Sequence, residues 1–391
     1  MFVGTTVRGI RSKIIKEGDD LESIVIDSLM KAKESEGFDF DDGDILTITE
    51  GVVGISQGNY ATIDDISLDI KNKLYSEHIG VVYPILSRNR FAVLLSAIAK
   101  STKKITMLLS FPADEVGNDI LYKEDLEKYK FKLSSVITEV DYNTHFSHFK
   151  HLFTGINMIE FYRNLCLKEN CEIEFILSND PLTILDYTKD ILVANIHDRF
   201  ETKKKLEDYT SKILLLSDIM TESINGSGYN KEYGLLGSNR STENKVKLFP
   251  KDCDILVNSI QSKLKELTGK TIEVMVYGDG AFKDPIGKIW ELADPVVSPG
   301  YTKGLKGSPN EIKLKYFSEN KYKEKDEELD NAIREEIKNK EKNLKGSMAT
   351  QGTTPRQYTD LLGSLSDLTS GSGDKGTPFV YIKGYFKNYS D

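Results

Sequence analysis

The chain has 391 residues, 39% hydrophobic and 29% charged, with 19 Tyr, 17 Phe and 10 Pro. At roughly 150 residues per domain this is about two to three globular units, and the composition excludes disorder as the dominant state. Lys and Arg total 52 against 61 Asp and Glu, a net charge of −9 that repels a phosphate backbone and argues against a general nucleic-acid binder.

In chain order, Asp19 or Asp20 is placed to cap a helix running through LESIVIDSLMKAK, with Leu21, Ile24, Val25, Ser28 and Leu29 on one face. After the turn at Asp41-Asp42-Gly43-Asp44, ILTIT and VVGIS are short and β-branched, which predicts strands. From 79 to 111, IGVVYPIL, FAVLLSAIAK and KKITMLLSF give a strand, helix, strand rhythm. Further on, EIEFILS at 172–178 and ILVANI at 191–196 read as strands, with Asn179-Asp180-Pro181 opening a helix between them. A long polar, glycine-punctuated loop spans 225–239, the kind of segment that forms a binding surface. A helix follows over 252–267, capped by Asp252 or Asp254 and stopped by Gly269, and TIEVMVY at 271–277 predicts a strand ending in Gly278-Asp279-Gly280. Charged residues dominate 319–345, where Leu329, Ile333 and Ile337 mark a solvated amphipathic helix, and PFVYIKGY predicts a last strand. The fold class is α/β in layers.

Chemistry-bearing residues are scattered. Cys166, Cys171 and Cys253 are odd in number and fit neither a disulfide framework nor a zinc ribbon, which points to a reducing, cytoplasmic setting. No apolar run approaches the roughly 18 residues of a membrane span, and the N-terminus reaches charge at Arg8, so a soluble protein without a signal peptide is expected. His145, His148 and His151 fall at intervals that spread them over about 300° of a helix, so one metal cannot collect all three. Asp279, between glycines at a strand end, suits either a divalent cation, with Asp284 and Lys283 nearby, or a tight turn capped by its own aspartate. Ser87-Arg88-Asn89-Arg90 precedes an apolar helix, where Arg88 and Arg90 either bind an anion or face solvent. Gly237-Ser238-Asn239 and the loop containing Gly376-Thr377 can present backbone N–H groups to phosphate, yet neither fits a P-loop or dinucleotide fingerprint.

Taken in order, several pieces resemble the coenzyme F420-0:L-glutamate ligase (gamma-glutamyl ligase) family. They are Arg8-Gly9-Ile10, Glu17-Gly18-Asp19-Asp20-Leu21, Asp42-Gly43-Asp44-Ile45-Leu46 with Val52-Val53 and Gly58, Gly237-Ser238-Asn239, Leu248-Phe249-Pro250-Lys251-Asp252, the strand into Asp279, and Thr359-Asp360 leading to Gly376-Thr377-Pro378. The resemblance implies a two-lobed α/β fold with mixed sheets, an intertwined homodimer, and a ligase using GTP (or ATP) with Mg2+ or Mn2+. The nucleotide would phosphorylate a carboxylate of an F420-0-like or folate-like acceptor, and L-glutamate would attack the acyl phosphate to form a gamma-glutamyl amide. On this reading Asp279, Asp360 and Asp284 would hold metal, and Asp279 and Lys283 would be catalytic. Gly237, Ser238, Asn239, Gly376 and Thr377 would meet phosphate or substrate, and Arg88 and Arg90 an acceptor carboxylate. The chain would divide into an N-terminal ligase-like segment (1–111), an inserted or elaborated segment (112–225) and a C-terminal ligase-like segment (226–391).

The sequence also departs from the family pattern. Glu50 to Asn59 stands where the family carries Ser-Lys-Val-Val-Ser-Lys-Ala-Glu-Gly-Arg, Gly234-Leu235-Leu236 replaces Gly-Ile-Asp, and Ala281-Phe282-Lys283 replaces Phe-Gly-Arg. A non-catalytic relative that binds nucleotide or ligand is the alternative reading.

Overall fold

The computed structural model describes residues 3–151, 154–278, 282–283, 290–291, 298–321, 328–350, 353, 356–370 and 373–390. The chain begins with β1 (Thr6–Ile10), α1 (Leu21–Glu36), β2 (Ile45–Thr49), α2 (Glu50–Ser56), β3 (Tyr60–Thr62) and α3 (Ile63–Leu74). Next come β4 (His78–Val82), α4 (Phe91–Ser101), β5 (Lys104–Leu109), α5 (Lys123–Lys128), α6 (Glu139–His145), α7 (Met158–Lys168), β6 (Glu172–Leu177), β7 (Ile191–Val193), α8 (Arg199–Leu206) and β8 (Ile213–Leu215). It continues through β9 (Asn239–Arg240), β10 (Lys245–Lys247), α9 (Cys253–Thr268), β11 (Glu273–Tyr277), β12 (Phe282–Lys283) and β13 (Trp290–Glu291). The last elements are β14 (Gly300–Tyr301), α10 (Leu314–Asn320), α11 (Leu329–Asn339), α12 (Tyr358–Ser370) and β15 (Phe379–Lys383).

One mixed sheet has the order β1-β15-β2-β11-β14; β2 and β11 run parallel, and the other neighbours are antiparallel. Successive side chains of a strand point to opposite faces, and the sheet uses both. Leu46, Ile48, Val274, Val276, Phe379 and Tyr381 pack with α1 and α9. Ile45, Met275, Tyr277, Val380 and Ile382 pack with Leu305 and with Leu362 of α12. Asp20 caps α1 by accepting the Ser23 amide at 3.2 Å, and Gly37 closes it in the left-handed region. The predicted face is nearly right, with Leu21, Val25 and Leu29 buried, but Ile26 rather than Ile24 completes it.

The other large sheet is wholly parallel, in the order β6-β5-β4-β7-β8. The chain starts at the central β4, grows outward to β6, then returns to the other side of β4 for β7 and β8. That is the doubly wound order, whose winding reverses between β4 and β7. Helices α3, α4 and α7 cover one face, and Ile184, Leu206 and Leu215 help to fill the other. β4 and β5, grouped by sequence with the N-terminal segment, are therefore central strands of this second unit. A small sheet, β3-β10-β9, lies between them in the chain path.

Two local expectations are overturned. VVGIS is part of α2, not a strand. Gly54 explains the close packing: a β-carbon there would lie 3.3 Å from the Leu248 carbonyl, so the helix seats directly on the chain after β10. Asp252 precedes α9 but makes no side-chain cap bond, because it adopts the left-handed conformation at φ 55°. The segment after Asp180 is a 3-10 turn, Pro181–Asp186, and α11 is amphipathic as expected, burying Ile333 and Ile337 beside Phe317. No helix among the described residues is long and apolar enough to cross a membrane.

Gly80, in the middle of β4, has no space for a side chain: a β-carbon would sit 2.6 Å from Ile184 Cγ1 and 2.9 Å from Thr188 Cγ2. Gly80→Ala should lower unfolding free energy by about 1–3 kcal/mol through overpacking, measured by urea denaturation.

Candidate active site

Because β2 and β11 are parallel, their carboxyl ends emerge together, with Thr49 opposite Tyr277. β15 brings a third segment to the same edge: the Thr49 amide donates to the Pro378 carbonyl at 3.0 Å. Gly376 and Thr377 are held just before it, Gly376 O accepting from the Ser12 amide at 3.2 Å and Thr377 Oγ1 donating to Ser370 O at 3.2 Å. Directly after Thr49, Glu50 opens α2 and takes both carboxylate oxygens to Lys247 Nζ, at 2.7 and 3.0 Å. Both partners are buried, Glu50 6% and Lys247 8% exposed. Lys247 in β10 faces Asn239 in β9. Asn239, the ion pair and the ends of β2 and β11 thus form one continuous edge.

Side-chain amides position the loop that carries Gly237-Ser238-Asn239. Asn59 Nδ2 donates to Phe249 O at 2.9 Å while Asn59 Oδ1 accepts the Tyr229 amide at 2.9 Å. Asn230 Nδ2 donates to Phe249 O and Pro250 O, and its Oδ1 accepts the Glu232 and Tyr233 amides. Gly237 is required twice over, by φ 70° and by the Phe249 ring carbon 2.5 Å from where a β-carbon would lie. Past it, the Arg240 amide donates to Asn89 O at 3.1 Å, tying the loop to the segment after β4.

Beside that contact lies a narrow crevice of about 40 Å³, lined by Ser87, Arg90, Gly237 and Ser238 with an apolar wall that includes Phe91, Ala194 and Leu236. It lies where the segments after β4 and β7 diverge, the place at which doubly wound sheets receive ligands. Asp114 braces it, accepting the amides of Leu86, Val116 and Asn118 at 2.8–3.0 Å and Asn118 Nδ2 at 2.7 Å. Burial nevertheless pushes the Asp114 carboxyl up to about 6, against those donors.

The structure brings Gly237, Ser238, Asn239 and Arg90 to this region and places Gly376 and Thr377 at the same sheet edge. Arg88 is exposed and faces His151, a neighbour whose pKa burial lowers. Asp360 is not brought to the edge. It sits in the first turn of α12, beside Tyr358, whose ring packs on Phe386, whereas the other end of the helix reaches Thr377. Ten residues of helix separate those ends by about 15 Å. Asp279 and Asp284 lie outside the described residues, as does the side chain of Lys283, whose backbone is in β12.

Among the described residues no three His, Cys, Asp or Glu side chains converge as a metal site. Leu235 and Leu236, where the resembled pattern carries a carboxylate, are each 1% exposed and belong to the core. The histidines have separate partners: His145 packs on Tyr129, His148 Nε2 pairs with Asp125 Oδ2 at 2.8 Å, and His151 Nδ1 meets Thr154 Oγ1 at 3.1 Å. Burial raises all three thiols, Cys253 to about 12, so none is a ready thiolate. Sequence reasoning missed Glu50 and Lys247 as partners. No local pattern marks a pair so distant in the chain, but Lys247 Nζ lies 3.5 Å from where a β-carbon on Gly51 would be, and Gly51 replaces a lysine of the resembled run.

Loops gathered at the carboxyl edge of one sheet and a switch-point crevice of another belong to one mixed α/β architecture. The family model described as F420-0:Gamma-glutamyl ligase matches residues 9–384, and the chain belongs to that family. The family is one of gamma-glutamyl ligases of the F420-0 type, and glutamate and a carboxylate acceptor are the substrates it implies. No curated protein matches the sequence closely.

Replacing Lys247 by Met leaves Glu50 buried without its counter-charge and should cost about 3–5 kcal/mol in urea unfolding, while the Glu50→Leu, Lys247→Met pair should recover most of the loss. A carbon-detected NMR titration should place the Asp114 midpoint near 6. Its folded pKa is raised, so its contribution to stability is full below the ordinary carboxylate range and is lost as pH rises through about 6.

Proposed function

We propose that the chain is a nucleotide- and divalent-metal-dependent ligase that adds L-glutamate to a carboxylate acceptor, F420-0-like or folate-like, through an acyl phosphate. GTP, or ATP, transfers its terminal phosphoryl group to the acceptor carboxylate. The glutamate amine then attacks the acyl carbon, phosphate leaves, and a gamma-glutamyl amide forms. One observation carries the reading: segments of a chain matched to the ligase family over nearly its whole length, though distant in sequence, meet at one sheet edge.

In this reading the amides and side chains of Gly237, Ser238 and Asn239 receive phosphate oxygens, helped by Gly376 and Thr377. The Glu50–Lys247 pair holds β10, and through it Asn239, in place. The apolar crevice borders the acceptor rather than enclosing it, with Arg90 at its lip assigned to an acceptor carboxylate. Asp279, with Asp284, is assigned to Mg2+ or Mn2+, and Lys283 to the transferred phosphoryl group. The cation would neutralise phosphate charge. A homodimer in the cytoplasm completes the proposal.

The core position of Leu235 and Leu236 favours one second reading, a relative that binds nucleotide without turnover. Phosphate release decides between them. In the ligase it requires nucleotide, metal, L-glutamate and acceptor together, and Asn239→Ala should reduce kcat/KM by about 10- to 100-fold. A metal-dependent rise in thermal midpoint with GTP or ATP, lost in Asp279→Asn, supports the nucleotide site. Nucleotide binding without phosphate release, whatever acceptor is supplied, leaves the binding relative; no response to any nucleotide removes both.

A further inference from the structure

The parallel sheet has a second opening at its carboxyl edge, on the other face from the crevice. Past β7 successive side chains alternate between the two: Ala194 and Ile196 line the crevice, whereas Asn195 lines a cavity of about 270 Å³. Residues that follow β4, β5, β6 and β7 enclose this cavity, among them Tyr83, Ser110, Asn179 and Asn195, and α8 closes it through Thr202. Its walls are held in place. Glu115 accepts the amides of Ile196, His197 and Asp198 at 2.6–3.3 Å, and Tyr83, which leaves β4 in the left-handed region at φ 54°, donates its hydroxyl to Ser178 O at 3.0 Å.

Asn195 supplies the first sign of a ligand. It is 3% exposed, and its Nδ2 donates to Thr202 Oγ1 at 3.0 Å, but its Oδ1 is shielded from solvent and accepts no hydrogen bond among the described residues. A buried acceptor without a donor is costly, and an N–H entering from the cavity removes that cost. Charge is the second, independent sign. Asp114, Glu115, Asp198 and Glu201 are set against one lysine of the lining, Lys205, which is already paired with Glu201 at 3.2 Å. Arg199, outside the lining, lies over the Phe200 ring and donates to Ile196 O. Asp198 stands at the start of α8, yet it caps nothing and has no ion-pair partner among the described residues. Tyr83 adds an aromatic ring, a surface that attracts ammonium groups. A metal ion suits this set poorly: among the described residues no three His, Cys, Asp or Glu side chains converge, and the open acceptor is a neutral amide oxygen.

We propose that this cavity binds a small aliphatic diamine or polyamine, one primary ammonium donating to Asn195 Oδ1 and another held by the carboxylates of Asp198 and Glu201. An ammonium carries three donors and no acceptor, which matches a lining that lacks a donor at Asn195 and is negative in sum. The alkyl body would lie along Ala113 and Pro181. Because the cavity opens on the face away from the crevice, its occupancy does not depend on the ligase reading.

Titration calorimetry on the full chain tests it with two probes, hexamethylenediamine and hexamethonium, which share a carbon spacer and a charge but differ in that hexamethonium has no N–H. The variant carries Asp198→Asn and Glu201→Gln, both at exposed positions. The control carries Glu127→Gln and Glu266→Gln, also exposed, which changes net charge equally elsewhere, and circular dichroism checks that both fold. Hexamethylenediamine should bind the wild type and the control alike, and about tenfold or more weakly to the cavity variant. Hexamethonium should bind the wild type about tenfold or more weakly than the diamine does, because it cannot donate to Asn195. If the diamine does not bind the wild type, if the cavity variant binds it equally, or if hexamethonium binds as tightly, the proposal is overturned. The readout is binding without turnover, so it stands or falls separately from phosphate release.

Discussion

The parallel pairing of β2 with β11 is the constraint on which the rest of the molecule depends. An antiparallel pair can be joined by a tight turn, but a parallel pair needs a crossover. Here the crossover is an entire second unit, the doubly wound sheet from β4 to β8 with its helices, together with the small β3-β10-β9 sheet. Both carboxyl ends of the parallel pair must then emerge on the same side, which brings Thr49 and Tyr277 together. The returning chain lays β10 and β9 against that edge, and β15 inserts beside β2 to deliver the 376–378 turn. The candidate site is a consequence of this path.

Burial of the Glu50–Lys247 pair follows from the same path and gives it a geometric meaning. Taking two charges out of water is expensive, and the close two-oxygen contact offsets much of that cost only in one arrangement. The pair therefore specifies how α2 and β10 meet more than it adds net stability. Asn59 and Asn230 work alike, satisfying backbone groups of the 228–250 loop that would otherwise be buried unpaired. Together they give a long glycine-containing loop a defined shape next to the switch-point crevice, so the candidate features of two different sheets become neighbours.

Much of the scaffold was legible beforehand. The strands ILTIT, EIEFILS and TIEVMVY and the helices opening at Leu21 and Phe91 carry apolar periodicities that survive folding because each is buried as its pattern demands. VVGIS was misread, since short β-branched runs fit strand or helix and the choice was made by Leu248 and Lys247 packing on Gly54 and Gly51. The boundary at 111 was also misleading: β4 and β5 resemble any buried strands until their partners are known. Of the residues singled out for their loop chemistry, Arg90, Gly237 and Ser238 line one crevice. Asp360 was chosen by its place in an ordered set of motifs, but sequence order does not reveal which end of α12 faces the edge.

By itself the sequence determined most of the element types, the α/β class, the glycine-bearing loops and membership of the ligase family, because propensity, periodicity and motif order are local or additive properties. Tertiary structure alone decided the doubly wound order, the burial of Lys247 against Glu50, the separation of Asp360 from the edge and the gathering of Tyr83, Glu115 and Asn195 around one cavity. Each of these depends on contacts between residues distant in the chain. Such contacts leave no periodic trace in one sequence, since any pairing register compatible with the same hydrophobic pattern would read alike until packing volume and charge burial select among them.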